Sequence, residues 1–335
     1  MVNIIQTINY IESYEHANII SNLISDSGVN GIRVNLCKYS RDIVRTVIRE
    51  FIPIFLRKGI RKIYLDIPYP IDKARIYGIL NDKKVIKEND EYLIKKGNNS
   101  DSICDYESKK IYVNCTKFDV NRDIVYYGDG EGAFRVSRIS EKGIFCVAKN
   151  DFYIINGKSI SCGYFEQDKA VMSNILDSIG DMEVSLLIPF TESVDVINDI
   201  RGMVHNNVSL IAKIETESGM NNIEEIARKA EGILIGRGDL ALYSNLKDLF
   251  PNLRDTIEKV RENKIIFCTG ILQNFSDAYM PERAEIFDLM LIKQLYANEL
   301  ILSGSSDFNF SNIRELYLHS LKSIKRKVGF INNVW

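Results

Sequence analysis

The sequence predicts an α/β fold: a (β/α)8 TIM barrel interrupted after its third strand by a small all-β lid domain. Three observations predict it. Short apolar runs alternate with amphipathic stretches of helical length, the pattern of parallel strands joined by crossovers. Eight such runs are spread over the 335 residues, which suits a closed barrel better than an open sheet, although periodicity alone leaves closure open. One interval, 71–163, abandons this rhythm for short β-like runs divided by turn residues.

The strand candidates are 3–8, 31–36, 62–66, 184–190, 209–215, 232–236, 264–269 and 299–303. Each is nearly continuous in Val, Ile and Leu, as a strand buried on both faces requires. Helical patterns fill most of the gaps, at 40–58, 192–204, 221–230, 253–262, 281–297 and 311–327. The interrupting interval reads "KKIYVNC", "DIVYYG", "AFRVSRI", "GIFCVA" and "DFYII", with "GNNSDS", "YGDGEG" and "NGKS" among them. The expected division is therefore a barrel from 1–70 and 164–335 with a lid from 71–163. An insertion after a strand's carboxyl end lies on the side where barrel enzymes build their sites.

Composition narrows the function. With 43 basic and 45 acidic residues the formal charge is −2, so no polybasic signature of nucleic-acid binding is present. Six cysteines (Cys37, Cys104, Cys115, Cys146, Cys162 and Cys268) show no C-x-x-C spacing, which argues against a disulfide framework or a structural zinc. The N-terminal stretch is too polar for a signal peptide, and no apolar run is long enough for a transmembrane helix. A cytoplasmic protein without membrane or nucleic-acid partners is the expectation.

Charge collects where the predicted strands end. "LIAKIE" places Lys213 and Glu215 on one strand face, and "GILIGRGD" runs out into Arg237, Gly238 and Asp239. Strand two ends near Arg33 and Asn35, strand three at Asp66, strand seven at Thr269, and strand eight at Ser303 and Gly304. A lone Lys-x-Glu or Arg-Gly-Asp carries little weight, but convergence on one barrel rim carries more. Glu215 and Asp239, on adjacent strands, suit Mg²⁺ or Mn²⁺ with positions left for water and substrate. Lys213 and Arg33 beside that ion would clamp a phosphoryl group or an enolate oxygen.

These segments resemble the pyruvate kinase family. "AKIETESGMNNIEEI" is similar to the family's S-K-I-E-N-x-x-G-x-x-x-x-x-E-I, and "EGILIGRGDLA" to its D-G-I-M-V-A-R-G-D-L-G. "SGVNGIRVNL", "YLDIPYPIDK", "PERAEIFD" and "LILSGS" follow in family order, and "YYGDGEG" stands where the family's lid has a D-D-G turn. The resemblance implies transfer of phosphoryl between phosphoenolpyruvate and a nucleotide such as ADP or ATP, or another acceptor, through a metal-stabilised enolate of pyruvate. It implies Lys213 as the lysine at the moving phosphoryl group, Arg33 as the phosphate-binding arginine, and Thr269 beside the substrate methyl. Glu215 and Asp239 match the metal carboxylates, and the amides of Gly238 and Asp239 match the holders of the substrate carboxylate. Asn35 and Asp66 match monovalent-cation ligands, and Asp129 matches the lid aspartate near the metal–nucleotide.

The departures fall on the cation and nucleotide side. The family's serine and histidine after Asn35 are Cys37 and Lys38; a thiol is a poor ligand for a hard cation, and an ammonium beside it makes a K⁺ requirement doubtful. The nucleotide-phosphate arginine becomes Lys73, without a bidentate fork. The chain ends at Trp335, so the family's C-terminal regulatory domain is not expected, the usual tetramer is not assumed, and a homodimer is one assembly open to it. Three functions stay open: the phosphotransferase, a metal-dependent aldolase or decarboxylase acting on pyruvate or oxaloacetate, and a non-catalytic binding protein on the same scaffold.

Overall fold

The computed structural model describes residues 2–8, 10–79, 83–97, 109–120, 123–244, 246–275, 280–303 and 313–335. Gly304, Cys104 and most of the turn expected at 97–102 lie outside these residues. By contact the chain divides into one unit of Met1–Tyr69 with Asp168–Trp335 and a second of Pro70–Gln167.

In the first unit, eight parallel strands close on themselves in chain order among the described residues. They are Asn3–Ile8, Gly31–Asn35, Lys62–Asp66, Val184–Ile188, Val208–Ile214, Gly232–Gly236, Ile265–Cys268 and Glu299–Leu302. Closure is made by the eighth strand against the first, with Asn3 opposite Glu299 and Gln6 opposite Leu302. Apolar residues at alternate positions face outward and pack on the helices, in a core from Val2 to Ile331. The other alternation faces the barrel axis, where Ile5, Tyr64, Leu187, Ile211, Leu234, Ile266, Cys268 and Ile301 form a separate cluster. That plug leaves the barrel packed, with no pore through it. At its amino end the buried Glu299 carboxylate accepts from the Tyr64 hydroxyl and from Lys62 Nζ, the latter at 2.6 Å.

Local chemistry starts and stops the helices. The Ser13 side chain caps Tyr14–Ser27 by accepting from the His16 amide, and Gly28, at φ +81°, ends it. Asp168 caps Lys169–Ile179 in the same way. The helix expected over 40–58 is present as one run with a local widening: Arg41–Thr46 and Ile52–Arg57 are joined through a wider turn over Val47–Phe51. Pro53, having no N–H to donate, lies at the start of the second piece, where its missing donor is tolerated. The long last helix, Ile313–Val334, packs against Tyr14–Ser27. Among the described residues no helix is long and apolar enough to cross a membrane.

Among its described residues the second unit is all β. Its eight-stranded sheet runs from Ile71–Tyr77 through Lys110–Asn114, Glu91–Lys96, Gly143–Ala148, Gly132–Ser140 and Ile124–Tyr127 to Ser159–Glu166 and Lys117–Phe118. Ser159–Glu166 also pairs back onto Ile71–Tyr77, so the sheet curls around its own core of Ala74, Ile94, Val113, Phe134 and their neighbours. This unit reaches past residue 163 because that returning strand is continuous to Glu166.

Candidate active site

The carboxyl ends of the barrel strands carry a connected set of charges. Asp66 ends the third strand and is 2% exposed. Its carboxylate accepts from Arg33 on the second strand, through Nε at 3.1 Å and through Nη2, while Arg33 Nη1 donates to Thr7 Oγ1 at 3.3 Å. Lys213, near the end of the fifth strand, donates Nζ to both Asp66 oxygens at 3.2 and 3.4 Å. The same ammonium lies 3.1 Å from Glu215 Oε1. The other Glu215 oxygen accepts from the Phe190 amide at 3.0 Å. Four predicted residues from three strand ends are thereby brought into direct contact.

Physical chemistry decides the charge state of this array. Burial alone would drive the Lys213 ammonium toward neutrality, but Asp66 and Glu215 outweigh it and hold its pKa above the ordinary lysine value. Burial would push Asp66 up, yet Lys213 and Arg33 hold it below the usual carboxylate range. Arg33 is likewise held up by Asp66 against its burial. All three keep their charges at neutral pH. At neutral pH Lys213 is therefore a fixed positive charge with no lone pair to act as a base.

Asp239 lies in the first turn of the helix Arg237–Tyr243, half-buried, and its charge is felt by Lys213. Gly236 is a contact point: a Cβ there would come 2.6 Å from Glu215 Cγ, so the fold of Glu215 over the sixth strand depends on its absence. Gly238 faces Thr269 in the same way, with a Cβ clashing at 2.9 Å from Thr269 Cγ2. Thr269 itself has φ +71°, an uncommon conformation for a β-branched residue. Beneath them Cys268 is buried, its thiol pushed up by burial, so it forms a neutral floor.

Two carboxylates set against one ammonium match the donor preference of a hard dication such as Mg²⁺ or Mn²⁺. Among the described residues no group of three or more His, Cys, Asp or Glu gathers into a site of its own. An ion held by Glu215 and Asp239 would thus keep most of its positions for substrate and water.

The remaining candidates are Asn35, the register partner of Asp66 across the second and third strands, with Lys38, Lys73 and Asp129. Asn35 uses its side-chain oxygen to accept from the Cys37 amide at 3.1 Å, capping the short turn Leu36–Lys38, on which Lys38 is exposed. Lys73 and Asp129 belong to the second unit, Lys73 on Ile71–Tyr77 and Asp129 exposed on the turn after Ile124–Tyr127.

Two participants carry no role in the sequence reading. Arg237 donates Nε to the Cys268 carbonyl at 3.1 Å and Nη2 to the Thr269 carbonyl, and it pairs with Asp288. The Phe190 amide that orients Glu215 comes from a residue at φ +45°. A backbone donor leaves no mark on side-chain pattern. Arg237 did stand out as a charge at a strand end, but its carbonyl partners are set by the fold.

The chain matches the family of the pyruvate kinase barrel domain over residues 1–306. The pyruvate kinase of Hypocrea jecorina is 27% identical over 235 residues, 66% of this chain and 44% of its own length. That of Borreliella burgdorferi is 26% identical over 321 residues, 91% of this chain and 64% of its own. That of Thermoplasma acidophilum is 30% identical over 195 residues, 55% of this chain and 35% of its own. The chain spans about half the length of the curated relatives it matches.

Proposed function

Because the chain belongs to the pyruvate kinase family, we propose that it is a phosphotransferase that moves phosphoryl between phosphoenolpyruvate and a nucleotide at the Arg33–Asp66–Lys213–Glu215 array. The observation that carries this reading is the buried, charged Lys213 ammonium, held between Asp66 and Glu215. Transfer from phosphoenolpyruvate leaves negative charge on the moving phosphoryl group and on the enolate oxygen. A fixed ammonium in a site shielded from water stabilises both more than a solvated one would.

In this reading Lys213 neutralises the oxygen bridging phosphorus and the enolate carbon, and Arg33 adds its guanidinium to the phosphoryl oxygens. Asp66 keeps both cations oriented, since it contacts each directly. The amides of Gly238 and Asp239 are assigned the substrate carboxylate, and the Thr269 hydroxyl a position beside the methyl carbon that gains a proton. Mg²⁺ or Mn²⁺ on Glu215 and Asp239, when bound, would supply Lewis-acid polarisation of the substrate oxygens. Arg33 and Lys213 against Asp66, Glu215 and Asp239 leave one net negative charge, which a dication reverses to match an anionic substrate. Lys73 and Lys38 are assigned to the nucleotide phosphates, and Asp129 to the metal–nucleotide.

The test is pyruvate formation from phosphoenolpyruvate with Mg²⁺ or Mn²⁺, with and without ADP. ADP-dependent formation is expected, and Lys213→Ala should lower kcat by on the order of 10²–10³ while leaving Mn²⁺ binding largely intact. Proton exchange at the pyruvate methyl group that needs no nucleotide, without ADP-dependent turnover, would reject the kinase in favour of a lyase.

A further inference from the structure

The turn after the fourth strand, Val184–Ile188, is fastened to the fifth strand by consecutive amides. The Phe190 amide donates to the Glu215 carboxylate at 3.0 Å, and the Thr191 amide to the Lys213 carbonyl at 3.0 Å. Thr191 is fully buried and donates its hydroxyl to the Ile188 carbonyl at 2.9 Å. A Cβ built on Gly219 would come 2.7 Å from the Thr191 carbonyl oxygen, so the helix Glu217–Asn221 closes directly on the turn. Further along, the Glu192 carboxylate accepts from the Thr216 hydroxyl at 2.6 Å, and the Glu192 carbonyl from Asn222 Nδ2 at 2.8 Å. These contacts hold Phe190 at φ +45°, a backbone region that a bulky side chain seldom adopts.

With its amide committed to Glu215, Phe190 turns its ring to a different element. The half-buried ring meets that of Tyr243, with centroids 5.6 Å apart and planes at 84°, an edge-to-face pair. Tyr243 is the last residue of the helix Arg237–Tyr243, and Asp239 stands four residues before it. Residues at this spacing lie on one face of a helix, a turn apart. One residue therefore touches Glu215 through its backbone and the helix bearing Asp239 through its side chain.

We propose that Phe190 is a positioning residue for a divalent ion, its amide fixing Glu215 and its ring, through Tyr243, fixing the helix that carries Asp239. The proposal rests on the assignment of the ion to Glu215 and Asp239 made above. Its physical basis is preorganisation. Two carboxylates facing one cavity repel each other until a cation arrives, and the seven-residue helix Arg237–Tyr243 is too short to hold its place by its own hydrogen bonds. The aromatic pair supplies a contact that resists this repulsion, so less ordering remains to be done when the ion binds.

The experiment measures Mn²⁺ binding to the full chain without substrate, from the electron paramagnetic resonance signal of the free ion. Phe190→Ala and Tyr243→Ala each delete the ring contact and keep the amide of residue 190. Each should weaken Mn²⁺ affinity by about threefold to tenfold. The double variant should bind within about twofold of the weaker single one, because both changes delete the same contact. Phe190→Leu, which keeps apolar bulk for folding but has no ring, should weaken binding in the same direction. Phe330→Ala is the reference. It breaks another edge-on pair of the barrel unit, Phe275 with Phe330 at 6.0 Å, and should lower the melting temperature with Mn²⁺ affinity unchanged. Folded variants that bind Mn²⁺ as tightly as the wild type, losses that add in the double variant, or an equal loss in Phe330→Ala overturn the proposal while the ion assignment stands. A wild type that binds no Mn²⁺ overturns the assignment itself, and the proposal with it.

Discussion

Glu215 is held from three sides: its oxygens take the Lys213 ammonium and the Phe190 amide, and Gly236 lies beneath its stem. A methyl group at 236 has no room, since the nearest atom is Glu215 Cγ at 2.6 Å. Gly236→Ala should therefore displace Glu215 while the strand stays paired. Misplacement of this size costs roughly 10²-fold in kcat; titration with Mn²⁺ should show weaker binding and circular dichroism an unchanged fold. Unaltered Mn²⁺ affinity would show that Glu215 does not depend on this contact. A second residue-scale effect concerns His16, which burial lowers from 6.5 to about 4. Its Nδ1 accepts from the Glu12 amide at 3.2 Å. Above pH 6.5 the imidazole is neutral in both folded and unfolded chains and adds no slope. Between about 6.5 and 4 only the unfolded chain takes up the proton, so stability falls on acidification. Urea melts across this window should show the fall, and His16→Asn, which keeps an acceptor near Nδ1, should flatten it. At this scale sequence pattern revealed the Lys213–Glu215 pair, because a two-residue period puts both side chains on one strand face. It was silent on Asp66 as the shared anchor of Lys213 and Arg33, because 147 residues separate Asp66 from Lys213 and only the barrel fold joins them.

The strands were the most legible elements. Each expected run contains or nearly matches an observed strand, because burial on both faces leaves a near-continuous apolar signature that solvent cannot dilute. A widening inside a helix was less legible. The wide turn at Val47–Phe51 lies within one helical run, and its residues read as ordinary helix. Strand ends matter more to the site. The seventh strand stops at Cys268, and Thr269 turns sharply away at φ +71°. A non-glycine residue in this region costs on the order of 1–3 kcal/mol and persists only when its surroundings hold it. Arg237 supplies that hold, with a guanidinium that reaches both the Cys268 and Thr269 carbonyls while Asp288 secures its far side. Lysine keeps the charge but lacks the fork. Arg237→Lys should leave the barrel folded and lower kcat by about tenfold to a hundredfold, with little change in Mn²⁺ affinity. Steady-state kinetics beside a Mn²⁺ titration separates this from a general loss of structure; an unchanged kcat would free Thr269 of any dependence on Arg237.

At the scale of the molecule, the barrel and the β unit each bury a core of their own, and the chain passes from one to the other through a single pair of neighbouring segments. The Gln167 amide donates to the Pro70 carbonyl at 3.0 Å, so entry and exit are adjacent. Adjacent termini are the condition under which an inserted domain can be removed without stretching its host. Joining Tyr69 to Asp168 by a short flexible linker should leave a barrel that melts cooperatively, with helix content intact, and residues 70–167 alone should give a dispersed β-rich amide spectrum. The charged array lies wholly within the barrel unit. The shortened chain should therefore keep Mn²⁺ affinity within about threefold of the full chain's, since no residue assigned to the ion is removed. ADP-dependent turnover should fall by at least about 10²-fold, because Lys73 and Asp129 leave with the insert. A shortened chain that folds but no longer binds Mn²⁺ would place part of the ion's ligand set in the β unit and overturn its assignment to Glu215 and Asp239 alone.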